Sequence, residues 1–114
     1  MTQAENFFKH LAAEIPDVKE GRIFGTDCIT THNGKPAAMF WKDNVVVKLK
    51  GEHLKEAMSL DGSKQFEPME GKPLREWIQI PFEHKDKWKK YVLLSIELVK
   101  EFKKKQVLEM ADQD

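Results

Sequence analysis

The side chains that could hold a metal ion are few and far apart in this chain. Its four histidines, His10, His32, His53 and His84, never stand three or four residues from one another. Metal ligands often come in such pairs, because one helix turn or one short loop then presents both to the ion. Asp27 and His32 flank one predicted strand, but their parity puts them on opposite faces. The sequence therefore predicts surface histidines and no metal or other cofactor.

Catalytic nucleophiles are equally hard to find. Cys28 would need a neighbouring base and a lowered pKa to act as one, whereas most free cysteines are buried as small hydrophobic residues. Ser59, Ser63 and Ser95 lack the flanking glycines of a nucleophile elbow. Gly71-Lys72-Pro73 precedes a predicted strand, whereas a phosphate-binding loop opens a helix. We therefore expect no enzymatic activity, and an enzyme with a cysteine nucleophile is the least supported alternative.

A basic and aromatic surface is the best candidate for an interaction site. Lys48 and Lys50 share one face of a predicted strand, and Arg75 and Trp77 share one face of another. Single-stranded bases stack on sheet faces of this kind, and Trp41 adds a second ring. The alternative is a solvated face with a tryptophan that anchors the sheet under a helix. We favour the alternative, because 19 basic and 19 acidic side chains cancel and leave no global field to attract phosphates.

The elements that would position these residues begin with a helix and a meander. Apolar side chains recur at helical spacing within residues 2–15 and predict a first helix, which a proline ends. Residues 26–50 predict three strands joined by tight turns at Asn33-Gly34 and Asp43-Asn44. We interpret the preceding segment, 18–25, as an approach to this meander and not as a strand.

The second half of the chain predicts a short helix, one more strand and a long helix. The short helix covers residues 52–60, and residues 64–71 are interpreted as an irregular connection. A strand at 74–80 has a proline at each end, which suggests an edge strand or the last strand of the sheet. The long helix, 83–102, has a broad apolar stripe that could also serve a partner or a second copy.

This order predicts an α+β fold. A small antiparallel sheet, made of a three-stranded meander plus a later strand, is covered on one face by an N-terminal helix, a short middle helix and a long C-terminal helix. We expect a single domain over residues 1–105 and a C-terminal extension, 106–114, that continues the last helix or frays.

Composition sets the broad class of the protein. A chain of 114 residues with 40% hydrophobic content can bury a continuous core without disulfides. Its single cysteine excludes an internal disulfide, and no stretch approaches the roughly 20 apolar residues that span a bilayer. These features predict a cytoplasmic protein.

Two stretches of the chain resemble a known family. GRIFGTDCITTHNGKPAAMFWKDNVVVKL is similar to the Met-Phe-Gly, strand, Asn-Gly-Lys, strand, Lys-Leu signature of the amino-terminal domain of the competence regulator TfoX. GKPLREWIQIP resembles the Gly-(Arg/Lys)-Pro-Met-Arg-Glu-Trp segment of its short stand-alone relatives. The resemblance extends from about residue 7 to residue 102, with departures at Ile23 and Thr26. It implies an α+β domain without known enzymatic activity, and it does not include the carboxy-terminal helical domain of full-length regulators.

Two functional hypotheses follow. The first is a non-enzymatic cytoplasmic regulatory or protein-interaction module of the TfoX amino-terminal type, acting through protein contacts, with a homodimer as one form. The second is a nucleic-acid-binding accessory protein that uses the face bearing Lys48, Lys50, Arg75 and Trp77. Neutral overall charge weighs against the second hypothesis without excluding it.

Overall fold

The computed structural model describes residues 2–23, 25–31, 34–69 and 71–113, with side chains described for 2–22, 25–31, 34–67, 71 and 76–100. The elements, in chain order, are α1 (Gln3–Glu14), β1 (Val18–Ile23), β2 (Thr26–Thr31), β3 (Pro36–Trp41), β4 (Asn44–Lys48), α2 (Gly51–Met58), β5 (Lys64–Met69), β6 (Lys72–Pro81), a 3-10 turn (Phe82–His84) and α3 (Lys85–Gln113). The predicted α+β fold is confirmed, with its N-terminal, middle and long C-terminal helices. None of the helices in the described chain is long and apolar enough to cross a membrane.

The sheet has six antiparallel strands in the order β1-β2-β3-β4-β6-β5, two more than predicted. The segment 18–25, interpreted as an approach, contains β1, and the segment 64–71, interpreted as an irregular connection, contains β5. Both are edge strands, and edge strands often carry charges, glycine or proline, which discourage pairing with other chains. These residues weaken the local strand signal, and pairing with β2 and β6 decides the structure.

The strand predicted at 74–80 is the last strand of the sheet in chain order, as one alternative had it, but the other alternative, an edge position, is wrong. β6 pairs with β4 on one side and with β5 on the other. Pro81 lies opposite Asn44 at the end of the β4–β6 ladder, so its missing N–H removes no interior hydrogen bond. A proline at the end of a strand therefore does not exclude a neighbour farther along it.

The turn between β3 and β4 is shifted by one residue from the prediction. The turn was predicted at Asp43-Asn44, but the two residues with positive φ angles are Lys42 and Asp43, at 47° and 65°. Asn44 instead pairs with Trp41 across the hairpin, and its Nδ2 donates to the Trp41 and Lys42 carbonyls at 3.0 and 2.9 Å. In the first predicted turn Gly34 has φ 83°, and Asn33 lies outside the described residues.

The larger core lies between the three helices and one face of the sheet. α1 contributes Phe8 and Leu11, and α3 contributes Trp88 and Tyr91, all of them buried. The strand residues that face them are Ile29, Ala38, Phe40, Val45, Val47, Ile78 and Ile80. Alternation along the strands therefore gives the sheet one face covered by helices and one face that we call the open face.

A second, smaller core lies on the open face. It is formed by Cys28, Met39, Val46 and Phe66, and it contains no helical residue of the described chain. The ring of Trp41 on β3 meets the ring of Phe66 on β5 edge-on, with centroids 5.3 Å apart. Two strands separate β3 from β5, so a flat sheet would hold these strands about 14 Å apart. The sheet is therefore strongly curled around this core, and register shifts in β5 allow the bend.

One buried serine ties α3 to the centre of the sheet. Ala38 pairs with Val47, so Ala37 and Lys48 would form the next step of the β3–β4 ladder. The Ser95 hydroxyl takes that place, accepting from Lys48 N at 2.9 Å and donating to the Ala37 carbonyl. Ser95 is fully buried. It gives a hydrogen-bond partner to the Lys48 N–H and the Ala37 carbonyl, which α3 would otherwise bury without one.

Candidate functional site

The structure brings two of the four predicted site residues together. Lys48 and Trp77 are cross-strand partners on β4 and β6, and both lie on the open face. Lys50 lies beyond the end of β4, where it is the N-cap of α2. Arg75 belongs to β6, and its side chain lies outside the described residues. The expected surface therefore reduces to the pair Lys48 and Trp77, with Lys50 at the border of another element.

Strand register defines the rest of the open face. Its described positions include Lys19, Gly21, Thr26, Cys28, Thr30, Met39, Trp41, Asn44, Val46, Lys48, Lys64, Phe66, Trp77, Gln79 and Pro81. A Cβ added at Gly21 would lie 3.5 Å from Cys28 Sγ and 3.7 Å from Thr30 Cγ2, as expected for neighbours on one face. The charged side chains at these positions are all lysines. Charge is thus segregated in a chain that is neutral overall.

The two tryptophans of the open face cover its small core without being fully buried. Trp41 and Trp77 are half-buried and pack against the cluster of Cys28, Met39, Val46 and Phe66. Lys42 Nζ lies 5.5 Å from the centroid of the Trp41 ring, so a cation reaches one side of that ring. Both indoles therefore combine a packing role with accessible surface.

A groove between α2 and α3 is a second candidate site, of which the sequence analysis named two parts separately, Lys50 and the apolar stripe of the last helix, without joining them. It has a volume of about 180 Å³ and is lined by Leu49, Lys50, His53, Leu94, Glu97 and Leu98. Leucines provide the apolar floor, while Lys50 and Glu97 are exposed on opposite walls. Small-molecule pockets usually measure about 300–1,000 Å³, so this groove is better matched to protein side chains.

The walls of the groove are held together by a polar clamp. The Glu56 carboxylate of α2 accepts hydrogen bonds from Lys90 Nζ and Tyr91 Oη of α3, each at 2.6 Å. These two hydrogen bonds lower the pKa of Glu56. Burial, reinforced by the Glu56 carboxylate, raises the pKa of Tyr91, so this hydroxyl remains a donor at neutral pH. The clamp fixes α2 against α3 just beside the groove.

Cys28 behaves as the predicted buried small hydrophobe. Its side chain is buried, and burial, with the neighbouring Asp27 carboxylate, raises the pKa of its thiol. A cavity of about 140 Å³ lies near it, lined by Phe8, Lys9, Glu20, Asp27 and Cys28. Asp27 is already engaged there, 3.9 Å from Lys9 Nζ and 3.2 Å from Arg22 Nη1. This environment does not provide an activated thiolate.

The histidines are placed separately in the structure. His10 and His53 are exposed, His84 Nε2 lies 2.8 Å from the Asp61 carbonyl, and His32 lies outside the described residues. Within the part of the chain that is described, no group of three or more histidine, cysteine or acidic residues could hold a metal ion.

Comparison of the chain with protein-family models, with curated proteins and with solved structures found no significant match. The resemblance to the TfoX amino-terminal domain therefore stays a prediction that rests on its sequence motifs. The open face and the α2–α3 groove are the two candidate surfaces for a functional contact.

Proposed function

We propose that this chain is a non-enzymatic regulatory or protein-interaction module of the TfoX amino-terminal type, which works in the cytoplasm as a homodimer. The observation that carries the proposal is the α2–α3 groove, whose leucine floor lies between a cationic and an anionic wall. Exposed apolar grooves with polar rims are typical of protein contacts.

A second copy of the chain fits this groove by charge. Lys50 projects from the α2 wall and Glu97 from the α3 wall, and both side chains are exposed. A two-fold axis along the groove exchanges the walls, so Lys50 of one copy faces Glu97 of the other, twice per dimer. Interfaces with two-fold symmetry need this self-complementarity. The leucines of the two floors are then covered together.

The groove also has the rigidity that a docking surface needs. The Glu56 clamp to Lys90 and Tyr91 fixes one side, and the Ser95 bridge fixes α3 on the sheet. A preformed surface loses little conformational entropy on binding, so more of the contact free energy appears as affinity.

The test is a charge exchange measured by sedimentation velocity from about 1 µM to about 500 µM. Wild-type protein should form a dimer in this range. Lys50→Glu and Glu97→Lys should each weaken it by more than about tenfold, because two attractive contacts become repulsive in each homodimer. A mixture of the two variants should form a heterodimer, because one contact then joins the new glutamate at position 50 to the new lysine at position 97, and the other contact keeps the original pair of Lys50 and Glu97.

Lys89→Glu is the matched control, because it makes the same charge change at an exposed position of α3 that does not line the groove. It should leave the dimer intact. A wild-type chain that remains monomeric over the whole range would refute the homodimer. Failure of the mixed variants to associate would place any dimer interface elsewhere.

A further inference from the structure

The open face carries a charge pattern that the homodimer does not use. Register places Lys19 on β1, Lys48 on β4 and Lys64 on β5 on this face, and its described positions include no acidic side chain. Two strand steps and one two-residue step separate Lys48 from Lys64, which is about 12 Å in a regular sheet. Positive charges at this spacing, around a curled sheet, suit an extended anion better than a compact one.

The aromatic side chains of the same face add a second kind of contact. Trp41 and Trp77 flank the central row of Met39 and Val46, and both are half-buried. Their packing against the small core holds the rings in place before any ligand arrives. Bases stack on such fixed rings regardless of their identity.

We propose that the open face binds single-stranded nucleic acid, with Lys19, Lys48 and Lys64 at phosphates and Trp41 and Trp77 against bases. Cations together with fixed rings favour a partner that has both regularly spaced negative charges and flat bases, which is a nucleic acid and not a protein. The curl of the sheet, shown by the contact between Trp41 and Phe66, matches a flexible single strand better than a straight duplex. The proposal is independent of the groove, which lies on the helix side of the sheet.

Binding is tested by fluorescence anisotropy with a labelled thymidine oligonucleotide of about 20 nucleotides and a duplex of the same length. The single strand should bind with a Kd below about 100 µM at 50 mM salt. Three phosphate contacts predict a slope of about −2 in log affinity against log salt, or about 20-fold weaker binding at 200 mM salt. The duplex should bind more weakly, because its bases are already stacked on one another.

Variants separate the two kinds of contact. Lys19→Glu and Lys64→Glu should each weaken binding at least fivefold and reduce the salt slope by about 0.7, while Lys89→Glu on α3 should change affinity less than twofold. Trp77→Leu should weaken binding, and Trp77→Phe should retain most of it, because phenylalanine keeps a ring for stacking. Circular dichroism of each variant verifies that the fold is intact.

Three results would overturn the proposal. One is a flat anisotropy curve for the wild-type chain up to about 100 µM. Another is an equal loss of affinity in Lys64→Glu and Lys89→Glu, which would show that binding depends on surface lysines in general and not on those of the open face. The third is equal affinity for the single strand and the duplex, which would remove the stacking role of the tryptophans.

Discussion

Replacement of Ser95 by alanine should destabilise the fold far more than the loss of one hydroxyl suggests. Ser95 Oγ accepts from Lys48 N and donates to the Ala37 carbonyl, and it is fully buried between α3 and the sheet. Alanine leaves both backbone groups without this partner. A buried unsatisfied polar group costs about 1–3 kcal/mol, and partial closure of the strands would recover some of the cost. For the two groups together we therefore expect a loss of about 2–3 kcal/mol in the free energy of unfolding.

Urea unfolding followed by tryptophan fluorescence measures this loss directly. The midpoint should fall while the m-value stays unchanged, because the surface exposed on unfolding is the same. For a domain of this size the loss corresponds to a decrease of roughly 8–12 °C in the melting temperature. Amide hydrogen exchange gives a local measure, since the Lys48 amide should exchange faster in the variant than in the wild-type chain, relative to Val46.

Ser63→Ala is the matched control for this prediction. The Ser63 hydroxyl is buried and has no hydrogen-bond partner among the described residues, so its removal should be neutral or should stabilise the fold by up to about 1 kcal/mol. If Ser95→Ala lost no more stability than Ser63→Ala, the bridge between α3 and the β3–β4 ladder would be refuted as a stabilising contact.

Two other predictions concern single side chains. The raised pKa of Tyr91 means that the unfolded chain loses this proton at a lower pH than the folded chain, so its contribution to stability is complete below about pH 10 and falls above it. The free energy of unfolding, measured with urea, should therefore fall less between about pH 10 and 12 in Tyr91→Phe than in the wild-type chain. Parallel plots of this free energy against pH for the two proteins would contradict the prediction. Thr31 is buried and its hydroxyl has no partner among the described residues, so Thr31→Val should gain up to about 1 kcal/mol or be neutral. A loss above about 1 kcal/mol in thermal or urea unfolding would contradict it.

The helices could be predicted from the sequence because each carries its own signal. Apolar spacing marks α1 and the first part of α3, and a proline follows the end of α1. The strands β1 and β5 could not be predicted from the sequence. They contain charged residues, together with Gly21 in β1 and Pro68 in β5, and these residues do not form an alternating pattern. Their strand structure depends on partners, β2 for one and β6 for the other, and pairing of this kind is not written in the local sequence.

The candidate sites differ in the same way. Lys48 and Trp77 could be assigned to one face, because strand parity fixes the direction of each side chain and only the pairing of β4 with β6 was missing. Lys50 could not be placed, since β4 ends at Lys48 and the next residues turn into α2. The groove joins His53 to Glu97 from two helices. No residue near His53 or Glu97 in the sequence indicates that the two helices meet at this groove.

The two proposed surfaces lie on opposite sides of the sheet, so that neither blocks the other. Helices and groove occupy one side, and the lysines and tryptophans of the open face occupy the other. A dimer formed through the groove would therefore leave two open faces accessible, and a long single strand could contact both. Linked sites raise the overall affinity through effective concentration. A monomeric Lys50→Glu variant should keep its affinity for a short oligonucleotide and lose part of its affinity for a long one.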